Sequence, residues 1–193
     1  MRVLVACEFS GRVRDAFLAR GHDAMSCDLL PTESPGPHYQ GDVRDVLDGG
    51  WDLMIADPPC THLSYVSHGH WRNTPEEAAA AAFARLLMDA PIPRVAVENP
   101  LGILDHLIRH YDQIVQPYQF GDSYSKRTCL WLRNLPLLRP DALWVSPAMS
   151  LVGYHRRHSS KRIRAHLASV TAAGIARAMA EQWGCLPVLE VSK

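Results

Sequence analysis

Long apolar runs are missing from this chain of 193 residues. None approaches the roughly 20 residues that a membrane-spanning helix needs, so no membrane segment is expected. Metal-ligand spacing is missing too. The five cysteines, Cys7, Cys27, Cys60, Cys129 and Cys185, form an odd, scattered set without a CxxC pair, and no HExxH occurs. No metal is expected on that ground. Free thiols of this kind fit a reducing cytoplasm. The start, "MRVLVACEFSG", has one charge and a short apolar run, and reads as a first strand rather than a signal peptide. Internal repeats and low-complexity linkers are absent, which points to a single domain over residues 1–193. Net charge is absent as well, with 20 Lys/Arg against 20 Asp/Glu, but the balance is uneven. Residues 151–193 hold seven Lys/Arg and two acids, a local +5. Most of that excess lies in "YHRRHSSKRIRAH", where Arg156, Arg157, Lys161 and Arg162 can track phosphate. A solvated surface loop is the alternative.

What is present alternates between strand and helix signals. "RVLVAC" (2–7) has no polar break, as a strand buried on both faces requires. "SGRVRDAFLARG" (10–21) follows with Val13, Ala16, Phe17 and Arg20 at helical spacing, Ser10 able to cap and Gly21 as a stop. "DAMSCD" is a second strand, "GDVRDVL" opens a third short unit, and "WDLMIADPP" carries a fourth strand. "TPEEAAAAAFARLLMDA" is the clearest helix, with Thr74 as N-cap, Pro75 at the first position and acids in the first turn. "PRVAVENP" is a further buried strand, and "IVQPYQFG" and "RTCLWLRN" suggest an antiparallel pair. Residues 135–165 are irregular and basic, and "HLASVTAAGIARAMAEQWG" is a last helix interrupted near Gly174. The class is α/β, a doubly wound and mostly parallel sheet.

Polar residues then gather at strand ends, where open α/β sheets bind ligands. Glu8-Phe9-Ser10-Gly11 is a small-residue turn opening a helix. Asp28 ends the second strand, 17 residues past Gly11, where a nucleotide-binding fold keeps a ribose-binding acid. Asp42 begins the next unit, and Asp57 precedes Pro58-Pro59-Cys60. Pro58 and Pro59 must end the strand, because proline has no N–H to donate. Cys60 is thereby presented at the carboxyl edge, either as a nucleophile or as a small apolar residue in a loop. Glu98, in "VENP", ends a neighbouring buried strand. A thiolate beside a carboxyl suits attack on an electron-poor ring, provided that the thiol is activated locally.

The order Phe9-Ser10-Gly11, Asp28, Gly41-Asp42, "DPPC", "VENP" and a Gly-containing last helix resembles the DNA cytosine carbon-5 methyltransferases, especially their short phage-type members. The resemblance spans about residues 2–133 and 166–184. It implies a Rossmann-like class I S-adenosylmethionine-dependent methyltransferase fold. It further implies that Phe9, Ser10, Gly11 and Asp57 border S-adenosylmethionine, that Asp28 takes its ribose hydroxyls, that Asp42 meets the adenine amine, and that Gly174 lies near the cofactor. Cys60 would attack carbon 6 of cytosine, Glu98 would hold the ring nitrogen and exocyclic amine, and Arg127, or Lys126, would contact the base or the loop. Ser64, Gly69 and Arg72 would belong to a mobile loop closing over the substrate, and Thr171 would fall near the cofactor.

The departures matter equally. Arg12-Val13 replace the usual second glycine, Ser125-Lys126-Arg127-Thr128 stand for a longer arginine motif, and Thr61 replaces a glutamine. No target-recognition domain is visible, since base reading and base flipping need more chain than residues 135–165 supply. The expected substrate is therefore DNA or, alternatively, a free cytosine nucleotide such as dCMP. A non-catalytic nucleic-acid-binding subunit, beside a protein partner carrying specificity, is a further alternative that leaves Cys60 and Glu98 unused. Amino methylation is disfavoured because Cys60 stands where an aromatic should stack the base.

Overall fold

A computed structural model of the chain describes residues 1–65, 68–141, 149–150, 166 and 169–187. The strands are β1 (Arg2–Ala6), β2 (Asp23–Asp28), β3 (His38–Gln40), β4 (Leu53–Ala56), β5 (Arg94–Pro100), β6 (Gln113–Val115), β7 (Tyr124–Ser125), β8 (Thr128–Arg133) and β9 (Met149–Ser150). The helices are α1 (Arg12–Leu18), α2 (His68–Trp71), α3 (Pro75–Met88), α4 (Leu104–Leu107) and α5 (Ala173–Gly184), with 3-10 turns at Val43–Asp45 and Pro117–Phe120. Seven strands form one sheet in the order β3-β2-β1-β4-β5-β8-β6. The first five run parallel, and β8 is antiparallel to both β5 and β6. This is a Rossmann-like methyltransferase fold.

Unbroken apolar strands serve two cores at once. Side chains alternate across the sheet, so Val3, Val5, Leu53 and Ile55 pack under α1 and α5 with Phe17, Ile175, Met179 and Trp183. Leu4, Ala6, Met54, Ala56, Val95 and Val97 point the other way, against Leu63, Ala84, Leu87 and Trp131 on the α3 side. α3 begins as its sequence dictates. Thr74 Oγ1 accepts from the Glu77 amide at 3.2 Å, while Glu77 Oε1 accepts from the Asn73 amide at 3.1 Å. Such a cap contributes about 1 kcal/mol.

Two expectations are corrected and one is met. The third unit holds a strand, His38–Gln40, ahead of its 3-10 turn. The last helix is interrupted close to Gly174 as expected: His166 and Ser169 are helical, residues 170–172 are not, and α5 begins at Ala173. The α1 cap is shared: Gly11 is the N-cap, at φ +77°, and Ser10 Oγ accepts from the Arg12 amide at 3.3 Å. The Glu8 carboxylate takes the Val13 and Arg14 amides at 2.6 and 3.3 Å. An anion at a helix N-terminus is favourably placed.

Chain order reverses between β1 and β4. The chain winds outward through β2 and β3, returns to the middle, and continues through β5 on the other side. At such a switch point the loops diverge and open a crevice at the carboxyl ends. Every strand-end residue singled out above lies on that edge.

Candidate active site

Two loops meet at the crevice. The Asp57 amide still donates to the Ala6 carbonyl at 2.9 Å, and Pro58-Pro59 then turn the chain out of the sheet. The Cys60 carbonyl accepts from the Leu63 and Ser64 amides, both at 3.0 Å, so the thiol heads a tight turn. The neighbouring loop from β5 is tied to this turn. Asn99 Nδ2 donates to the Pro58 carbonyl at 2.8 Å, the Ile103 amide to Leu63 at 2.9 Å, and the Tyr65 amide to Leu101 at 3.3 Å. Gly102 is needed for this closeness, because a Cβ there would stand 2.1 Å from the Leu63 carbonyl oxygen. Backbone on backbone thus fixes the Cys60 turn against the strand end that carries Glu98.

Glu98 is 9% exposed, and Lys126 Nζ lies 4.0 Å from its Oε1. The cation at Glu98 is Lys126, while Arg127 is exposed on the same turn between β7 and β8. Burial pushes the Cys60 thiol up, the Glu98 charge pushes it further, and Lys126 pulls it down. Cys60 is therefore held as a neutral thiol in the free protein. Removing the Glu98 charge should ease its ionisation. We expect Glu98→Gln to speed iodoacetamide labelling of Cys60 at pH 8 several-fold, and Lys126→Met to slow it. Peptide-resolved mass spectrometry checks both, and an unchanged rate in Glu98→Gln would show that the two side chains do not sense each other.

On the other side of Pro59 a cavity of about 190 Å³ lies between the ends of β1 and β2 and α3. Leu29, Val43, Pro59 and Phe83 give it apolar walls, and Asp28, Asp42, Cys7 and Cys27 line it as well. Asp28 Oδ1 accepts from the Leu30 amide at 2.9 Å. Asp42 caps the 3-10 turn and accepts from the Arg44 amide and Nε at 3.0 and 2.9 Å, which holds its carboxyl down at about 2. A narrow cleft continues from Cys7 past Glu8, Phe9, Ser10 and Asp57 to Ser169, Val170 and Thr171. Apolar walls with the carboxylates of Asp28 and Asp42 beside them fit an adenosine, and Cys7 borders both this cavity and the cleft.

Phe9 is half-buried, its ring 5.7 Å from that of His166. The Gly174 amide donates to Asp122 Oδ2 at 3.0 Å, and its α-carbon packs against the Phe120 carbonyl, so this glycine seats α5 behind the cleft. Arg156, Arg157, Lys161 and Arg162 lie outside the described residues. Gly69 and Arg72, further along the segment after Cys60, are exposed. Among the described residues no group of three or more His, Cys, Asp or Glu can hold a metal ion, and no helix is long and apolar enough to cross a membrane.

Sequence reading passed over several residues that build the site. Arg14 is completely buried and clamps the loop after β2. Asn99 joins the two loops, whereas Thr171, which the resemblance places near the cofactor, donates from Oγ1 to Asp57 Oδ2 at 2.8 Å. Only for Glu8 was there a signal: a carboxylate just ahead of a Ser-Gly helix opening.

No protein-family model matches the chain, and no curated protein matches it in sequence. Solved structures do match in fold. One is a candidate DNA modification methyltransferase encoded within an E. coli prophage, at 15% identity, TM-score 0.51, over 76% of this chain and 52% of that one. Another is the Entamoeba histolytica methyltransferase EhMeth, at 13% identity, TM-score 0.50, over 75% of this chain and 57% of that one. The chain thus spans little more than half the length of either. At these identities the likeness defines a class by fold: the methyltransferase sheet with its antiparallel β8 between β5 and β6.

Proposed function

We propose that this protein methylates carbon 5 of cytosine in DNA, with S-adenosylmethionine as donor, through a covalent adduct at Cys60. One arrangement supports the reading. A thiol and a buried carboxyl stand on adjoining strand-end loops locked together by Asn99 and Gly102, next to a cavity of adenosine shape. Asp28 would hold the ribose and the Leu29, Val43 and Phe83 walls the adenine, while the cleft along Phe9 and Ser10 would take the amino-acid end. When bound, the cofactor supplies a methyl group on a sulfonium centre. Cys60 passes its proton to solvent water and adds through Sγ to carbon 6 of the ring, and the carbon 5–carbon 6 π pair becomes the nucleophile at carbon 5. Glu98 hydrogen-bonds the ring nitrogen and exocyclic amine, where charge develops, and Lys126 keeps that carboxyl in place. Loss of the carbon 5 proton and departure of the Cys60 thiolate complete the cycle.

A second reading moves the same chemistry to a free cytosine nucleotide such as dCMP. The short span from β8 to α5, residues 134–172, favours it, because a base-reading element would be inserted there. Tritiated S-adenosylmethionine offered with duplex DNA, single-stranded DNA and dCMP side by side separates the readings. We expect label in DNA, held by phosphate contacts from Arg156, Arg157, Lys161 and Arg162. Label in dCMP alone would replace the DNA reading with the nucleotide one. No label, with the cofactor still bound, would sink both and favour a binding subunit that works beside a partner.

A further inference from the structure

Two acids stand at one level of the sheet on one face. Ile55 and Ala96 are register partners of β4 and β5, and both point into the core under α1 and α5. Two residues on, alternation returns Asp57 and Glu98 to that same face. The Asp57 amide still donates to Ala6, so strand geometry persists that far. Neighbouring strands run about 4.8 Å apart, which brings the two carboxyls side by side.

Their surroundings decide what such a pair does. Thr171 fixes one oxygen of Asp57, Oδ2, at 2.8 Å. The other, Oδ1, is shut off from solvent and has no hydrogen-bond partner. Glu98 faces Asp57 from β5, Glu8 from the turn after β1, and Lys126 from the turn before β8. Cys7 lies beside it at the end of β1, and Cys60 beyond Glu98. Of these only Lys126 opposes a negative charge. Desolvation and two neighbouring acids push Asp57 well above the usual carboxylate range. Two carboxylates in such a place cannot both ionise cheaply, and one proton between them relieves the conflict.

We infer that Asp57 and Glu98 form a carboxyl pair holding one proton between them, with Asp57 the positioning residue that sets the protonation and orientation of Glu98. The pair then carries a single negative charge, which Lys126 balances. Glu98 can offer a hydroxyl donor to a ring nitrogen and keep an oxygen free to accept from an amine. For the base, this role rests on the cytosine reading above. The pair itself does not.

The test uses the full-length protein without substrate. Carboxyl carbons are labelled with ¹³C in Asp and Glu, and their resonances followed against pH in wild type, Asp57→Asn and Glu98→Gln. We expect one wild-type aspartate, lost in Asp57→Asn, to titrate far above the others. Glu98→Gln should lower the Asp57 midpoint by at least about one pH unit. Ordinary aspartate behaviour of Asp57, or an Asp57 midpoint unmoved by Glu98→Gln, would overturn the pair. If Asp57→Asn does not fold, the Glu98→Gln arm decides alone. Failure of the cytosine reading would show in the labelling assay and leave these spectra untouched.

Discussion

Cys60→Ala is expected to lower methyl transfer by at least about four orders of magnitude, roughly 5 kcal/mol of transition-state stabilisation, while cofactor affinity stays the same. The two halves have separate physical grounds. Under the proposed chemistry no adduct forms at carbon 6 without Sγ, so carbon 5 would not become nucleophilic enough to take a methyl group. Cys60 is not among the residues lining the cavity proposed for the cofactor, so cofactor binding should lose nothing. Filter-bound label with saturating DNA measures the first half, and calorimetry with S-adenosylhomocysteine the second. Turnover within tenfold of wild type would remove the covalent mechanism. Loss of cofactor binding along with turnover would mean that the Pro59-Cys60 turn shapes the cavity itself.

Arg14→Leu is expected to cost about 3 kcal/mol of stability, a fall of ~6–12 °C in Tm for a chain of this size. The guanidinium is completely buried. Its Nε donates to Asp15 Oδ1 at 2.8 Å, Nη1 to Ser26 Oγ and Thr32 Oγ1 at 3.1 and 3.2 Å, and Nη2 to the Ser34 carbonyl at 2.9 Å. Leucine fills part of the volume and removes four hydrogen bonds, three of which tie α1 to β2 and to the loop after it. The effect should reach the cofactor as well, because the clamped loop begins at Leu29, a wall of the cavity and 73% exposed in the free protein. Differential scanning calorimetry with and without S-adenosylhomocysteine reads both consequences. A Tm within about 2 °C of wild type would show that the loop is held by other contacts.

These two positions mark different degrees of legibility. Cys60 is conspicuous in the sequence because Pro58-Pro59 can do only one thing to a strand, and that presents the thiol at the carboxyl edge of the sheet. Arg14 reads there as one more solvent-facing position on a short amphipathic helix. It is buried only because Ser26, Thr32 and Ser34, up to 20 residues away, converge on it. The same contrast separates Arg127 from Lys126. Adjacent basic residues in a turn are equivalent in sequence, and the twist of that turn carries one to Glu98 and leaves the other in solvent.

By itself the sequence determined the class of fold and the edge at which to look. Unbroken apolar strands must be covered on both faces, alternation with helices makes the sheet parallel, and strand ends are where polar residues become affordable. Only the tertiary structure decided which strand ends are neighbours. The reversal between β1 and β4, the pairing of β4 with β5, and the Gly102 contact with Leu63 bring Asp57, Cys60, Glu98 and Lys126 to one place. Those contacts depend on register between segments some 40 to 70 residues apart in the chain, and local patterning does not encode that register.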